Sequence, residues 1–261
     1  MATKSVEELH SPISHAPSMG HQIGNPSPMA MGTFATTLLT LSLSMMGFRG
    51  VETQTVFIAN LCFAAGLGML ISAQWEIARG NSFGYAYLSA YAFFYGGYGV
   101  ILCPSLGVLQ SYGGATAEYH NALGFYVLSK IKTLILSERQ ANAWRQSGRC
   151  YPSSSCWHLH PRESPSSHCK TKYLFRSNLV SFGIFTTIFF CFLFDAASNF
   201  ALADGHDSNA KGLMQAGGAF GFVSGLLGFY SCAAGMCADA LPFTLPVGDT
   251  SRFFKKSHKT L

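Results

Sequence analysis

Charge is what this chain has least of. Asp, Glu, Lys and Arg make up 11% of its 261 residues, against about 25% in an ordinary soluble domain. Hydrophobic residues reach 49%, with 27 Gly and 22 Phe. That balance speaks against a water-soluble globule. The sequence also lacks a short apolar core with a small-residue cleavage site behind a basic start, so no secretory signal peptide is expected. It holds no grouping of nucleophile, base and acid, so no enzyme is read from it and no cofactor is expected. Eight cysteines are present, but five sit in or beside apolar runs, where a thiol is ordinarily a small hydrophobe. No disulfide is expected.

What the chain has instead is long apolar stretches. Five apolar runs, 29–48, 55–75, 83–103, 179–201 and 213–236, with Asp195 their one charged residue, each approach the roughly 20 residues that a bilayer-crossing helix needs. A sixth candidate, 121–137, is atypical because Lys130 and Lys132 stand near its middle. On an insertion scale each central Lys costs roughly 2.5–3.5 kcal/mol, while about eight apolar residues return roughly 0.3–0.6 each. The sum is close to zero. Basic residues collect on the cytoplasmic side of a membrane, and that bias decides the count. With six spans, Lys4, Arg79, the block from Arg139 to Arg176, and Arg252, Lys255, Lys256 and Lys259 all fall inside, leaving Arg49 and Lys211 outside. Five spans would place the block and the C-terminal tail outside. The expectation is an all-α polytopic membrane protein with six transmembrane helices, the fourth atypical, and both termini cytoplasmic. Its net charge of +5 is then a topology signal, and no nucleic-acid partner is expected.

Three polar segments complete the division. Residues 1–23 read as a disordered cytoplasmic tail, 24–249 as the six-span domain, interrupted by a polar cytoplasmic segment at 138–176, and 250–261 as a basic cytoplasmic tail. Within the polar segment, Cys150, Cys156 and Cys169 lie near His158, His160 and His168. Their spacing lacks the paired C-x₂₋₄-C and H-x₃₋₅-H pattern of structural zinc sites, so no metal is expected there.

The first apolar run opens with Asn25-Pro26-Ser27-Pro28. Proline is tolerated in a helix's first turn, where its missing N–H has no partner anyway, and Asn can cap the exposed donors. The spacing of Gly217, Gly221 and Gly225, with Gly218 and Gly228 on neighbouring stripes, predicts close helix packing in lipid, where small residues let backbones approach. Asp195 is an ionisable residue inside a span and is a functional suspect for that reason. It shares a helix face with Asn199, and either proton coupling or a helix–helix polar contact fits, the structural reading being the simpler. Glu76, beside Arg79, reads as half of an interfacial ion pair.

Four motifs resemble one family: Asn25-Pro26-Ser27-Pro28 with Phe34 following, Gly80-Asn81-Ser82-Phe83-Gly84, the Gly-rich Ala216 to Gly221, and Phe243-Thr244-Leu245-Pro246-Val247-Gly248-Asp249. They resemble the acetate uptake transporters of fungi, bacteria and archaea. Asp195 to Phe200 and Asp249 to Phe254 resemble the fungal branch. The resemblance implies a six-helix plasma-membrane protein that assembles as a homo-hexamer. Each protomer would carry acetate or a similar small monocarboxylate, often with a proton, through an aromatic and aliphatic constriction. Carried over by motif, that constriction falls on Phe34, Tyr91 and Ile188; Asn25 joins the expected pathway on a separate ground, an amide beside a helix N-terminus whose partial positive charge suits an anion. Without the resemblance, Phe34 and Tyr91 read as packing aromatics.

The chain departs from the family at Ser129 and rejoins it near Ser177, so 129–176 is either a genuine insertion or a gene-model error. The competing functions are transport of another small solute such as ammonium, or a membrane protein left inactive by a disrupted fourth span. A water channel would carry two Asn-Pro half-helix motifs, and this chain has one.

Overall fold

The computed structural model describes residues 24–51, 53–131, 179–240 and 245–248. The expected tails 1–23 and 250–261 and the polar segment 138–176, with its cysteines and histidines, lie outside the described residues. Among the described residues there is no strand. Six long helices follow one another: α1 (Ser27–Met45), α2 (Thr55–Ala78), α3 (Ser82–Leu102), α4 (117–131), α5 (Leu179–Ala203) and α6 (Asp207–Ala240). Of these, α2, α5 and α6 through Cys237 are long and apolar enough to cross a membrane. Large apolar side chains point outward, with Phe63 71%, Phe93 67% and Phe125 65% exposed. A soluble surface rarely presents so many.

The helix ends follow local chemistry. α1 starts with Pro28 in its first turn, and the Ser27 N–H donates to Asn25 Oδ1 at 3.2 Å. It stops at Met45, short of the apolar run's end, because Gly47 turns left-handed at φ +66°. α6 starts at Asp207, ahead of the apolar run expected at 213. The helix extends past the hydrophobic window, and Asp207 in its first turn suits the positive end of the helix dipole.

α2 and α3 are joined by the Gly80-Asn81 motif. Gly80 at φ +79° ends α2, with Gly80 N–H donating to Ile77 O and Asn81 N–H to Glu76 O, both at 2.9 Å. That is the double bond pattern of a left-handed helix stop. The same Asn81 opens α3, its Oδ1 accepting the Gly84 N–H at 3.0 Å. α2 itself carries a π-helical stretch, Asn60–Gly68. Thr37 Oγ1 donates to the Asn60 carbonyl at 3.1 Å, where that stretch begins.

α4 meets α3 through aromatic and polar contacts. Tyr126 stacks on Phe94 with centroids 5.2 Å apart and donates to Phe94 O at 2.9 Å. Lys130, the residue that made this helix atypical, donates to Ala90 O at 2.9 Å and lies 5.0 Å from the centre of the Phe94 ring. A cation over an aromatic face offsets part of the cost of removing it from water. Lys132 is outside the described residues.

α6 packs against both α1 and α5 through its glycines. An added Cβ at Gly217 would stand 3.2 Å from Cys191 O of α5, and one at Gly225 would stand 3.1 Å from Leu39 Cβ of α1. At Gly221 it would collide with Ser42 Oγ and lie 3.0 Å from Cys191 Sγ, so this position faces both neighbours. Gly212 has nothing within 4 Å.

The two kinds of glycine predict opposite signs. Alanine at Gly212 gains up to about 1 kcal/mol of helix propensity. Valine at Gly221 overpacks and is expected to cost about 1–3 kcal/mol. Thermal unfolding in detergent should show Gly212→Ala at or above the parent midpoint and Gly221→Val below it.

Candidate functional site

Three helices bring Phe34, Tyr91 and Ile188 into one buried cluster. They are 1%, 3% and 1% exposed, so the cluster is packed. Its spine is a column on α3. Tyr87, Tyr91, Tyr95 and Tyr98 recur at helical spacing and therefore share a face. Tyr91 meets Tyr87 edge-on at 5.2 Å and Tyr95 at 6.4 Å. Phe34 of α1 closes on Tyr95 at 6.4 Å, edge to face, and Phe192 of α5 lies 6.5 Å from Tyr91.

A cleft of about 320 Å³ lies directly beneath. Met31, Tyr87 and Ile184 line it, and each stands one helical turn before Phe34, Tyr91 and Ile188 respectively. Apolar walls alternate with the hydroxyl-bearing residues Ser27, Ser181 and Ser231. This arrangement, an amphipathic cleft ending at an apolar neck, can accept a small solute with one polar and one apolar end.

Asn25 stands apart from the buried cluster. It is exposed, and its Oδ1 accepts Arg79 Nη1 at 3.0 Å as well as the Ser27 N–H. Its observed role is to tie the start of α1 to the end of α2. Glu76 completes that tie and differs from the surface residue expected. It is 3% exposed, and its two oxygens accept from Ser27 Oγ at 2.6 Å and Asn81 Nδ2 at 2.7 Å. Ser72 Oγ adds a bond to Pro26 O at 2.7 Å. Sequence reasoning missed this clamp. The signal available was an acidic residue directly after an apolar run, four positions before the Gly80 stop.

Beyond the neck, Asn199 Nδ2 donates to Asp195 O at 2.9 Å and lies 3.4 Å from Asp195 Oδ1. These bonds run within α5. The hydroxyls of Tyr95 and Ser42 are buried and have no hydrogen-bond partner among the described residues. Neither had been singled out from sequence, since a buried hydroxyl's partners depend on which helices surround it. Among the described residues no group of three or more His, Cys, Asp or Glu is placed to hold a metal ion.

Helices of this length and apolarity, with a cleft lined by four of them beside a buried aromatic and aliphatic cluster, define a helical membrane protein with a candidate solute site. The chain belongs to the GPR1/FUN34/yaaH family, whose sequence pattern matches residues 8–137 and 169–250. It is 35% identical over 234 residues to the acetate transporter protein patA of Aspergillus clavatus, covering 90% of this chain and 81% of the relative. It is 27% identical to the ammonia transport outward protein 2 of Saccharomyces cerevisiae, over 90% of this chain and 71% of that one. In fold it is similar to the bacterial acetate channel SatP, with a TM-score of 0.61 and 18% identity over 87% of this chain and 99% of that chain.

The Glu76 clamp predicts a stability effect. Leu at this position would remove both acceptor oxygens and leave Ser27 Oγ and Asn81 Nδ2 without them, whereas Gln could still accept from Asn81 while donating to the Ser27 hydroxyl oxygen. Losing one buried acceptor contact costs about 1–3 kcal/mol. Glu76→Leu is expected to lower the thermal midpoint in detergent while Arg79→Gln, at a half-buried neighbour that bonds the exposed Asn25, changes it less.

Proposed function

We propose that this protein carries acetate or a similar small monocarboxylate across a membrane through the Ser27-lined cleft and the Phe34–Tyr91–Ile188 neck. The observation that carries the reading is the register between the two: Met31, Tyr87 and Ile184 line the cleft one turn from the three neck residues. The Ser231 hydroxyl in the cleft suits a carboxylate, the Ser27 O–H being donated to Glu76, and the apolar neck suits a methyl group. Selectivity of this kind comes from diameter and lining donors. The patA relatives at 35% and 34% identity support acetate as the solute. Moving a bare carboxylate through an apolar neck is costly, so the solute crosses with a proton, and Asp195 with Asn199 stands beyond the neck as a polar contact available to that step. Asn25 acts at the approach by fixing the mouth. The reading is of a transporter and involves no catalysis and no cofactor.

The proposed topology is six spans, with residues 24–249 as the transporting domain. Both termini, with the 1–23 and 250–261 tails, lie in the cytoplasm. The membrane is the plasma membrane. Outward-facing Phe63, Phe93 and Phe125 suit lipid and the neighbouring copies of a homo-hexamer. Ammonium is the second reading, favoured by the yeast ammonia-transport relative.

Purified chain in liposomes with an inward proton gradient tests both. Labelled acetate uptake is expected, collapsing when the gradient is removed and falling at least tenfold in Tyr91→Ala. Uptake of labelled methylammonium with none of acetate would favour the second reading.

A further inference from the structure

The segment Leu245-Pro246-Val247-Gly248 belongs to no helix, yet it lies against the cleft. Two ties hold it. Tyr230 Oη of α6 donates to Pro246 O at 2.8 Å, and Leu179 N–H, at the start of α5, donates to Gly248 O at 2.9 Å. Gly248 takes φ +67°, and a Cβ there would stand 2.9 Å from Leu179 Cβ. Glycine is what permits both the left-handed turn and the close approach. Between the ties, Val247 lines the cleft together with Tyr87, Ile184, Ser231 and Ala234. One wall of the cavity is therefore a short strap rather than a helix.

A wall of this kind differs physically from the other four. α1, α3, α5 and α6 are held along their lengths by buried contacts, whereas the strap is held over its described residues by two neutral hydrogen bonds, one from a side chain at an exposed edge. A single such bond shifts a held population by roughly two- to tenfold. The strap can thus loosen without any helix moving, and its one inward apolar side chain fixes how wide the cleft is when it is seated.

We propose that Leu245–Gly248 is a strap that sets the width of the cleft, with Val247 as a size filter ahead of the neck and Tyr230 as the latch that seats it. The size-selecting role rests on the monocarboxylate reading, while the latch does not. Removing the Tyr230 hydroxyl leaves the ring in place and releases Pro246. Shortening Val247 widens the cleft without releasing the strap.

The latch is tested on the full chain in detergent. A cysteine introduced at Ala234, inside the cleft, is modified with a water-soluble thiosulfonate, and the rate is read by mass spectrometry at that residue. A cysteine at exposed Ala115, in the loop between α3 and α4, is the control. Tyr230→Phe is expected to raise the rate at residue 234 by about two- to tenfold and to leave residue 115 unchanged. An unchanged rate at 234, or an equal rise at both positions, would overturn the latch. Uptake of labelled acetate, propionate and butyrate into liposomes tests the size limit. Val247→Gly is expected to raise the butyrate-to-acetate ratio and Val247→Phe to lower it. Ratios that both variants leave at the parent value would overturn the role of Val247. Faster labelling at 234 in a chain that takes up none of the three acids would uphold the latch and refute the monocarboxylate reading.

Discussion

The close approach of α6 to α1 and α5 is the contact on which the rest depends. In lipid there is no hydrophobic drive to press helices together, so association relies on dispersion and on backbones coming near. Gly218, Gly225 and Gly228 give α1 that proximity, Gly217 gives it to α5, and Gly221 serves both. Two hydroxyls reinforce the α5 side. Ser198 Oγ donates to Ala210 O at 2.9 Å, and Ser224 Oγ to Ile184 O at 3.2 Å. α1 carries Phe34 and α5 carries Ile188, so α6 sets the distance between two of the helices that carry the proposed neck. Larger residues along the glycine stripe would part the helices and open the neck at the same time.

The mouth depends on a different device, built from polar groups. A helix begins at Ser27 and another ends at Ala78, and the carboxylate of Glu76 joins them by accepting from Ser27 and Asn81. Buried polar groups of this kind are costly unless every partner is supplied. Here the partners come from the same two motifs that stop and start the helices. Asn81 ends one turn, caps the next helix and binds Glu76. The Asn-Pro-Ser-Pro and Gly-Asn-Ser motifs are thus two halves of one joint.

How much of this could be read in the sequence follows from how local each cause is. The turn at Gly80-Asn81 and the start of α1 at Pro28 rest on neighbouring residues, and both were legible. The start of α6 was not, because its first turn is polar and the apolar window begins at 213. Glu76 looked like an interfacial charge because its partner Ser27 lies 49 residues away. Phe34, Tyr91 and Ile188 were placed together by resemblance. Spacing alone could not have done it, since their meeting depends on which faces three separate helices present. Asn25 was legible as a cap, while its bond to Arg79 depended on where α2 ends.

In the proposed mechanism, an apolar neck made by Phe34, Tyr91 and Ile188 limits what passes. The most direct test is the uptake of monocarboxylates of increasing chain length by liposomes holding the parent chain or Ile188→Ala. The parent is expected to take up acetate faster than butyrate, and removing the Ile188 side chain to raise the butyrate-to-acetate ratio while acetate uptake persists. A parent that takes up both acids equally, or an Ile188→Ala profile identical to the parent's, would contradict it.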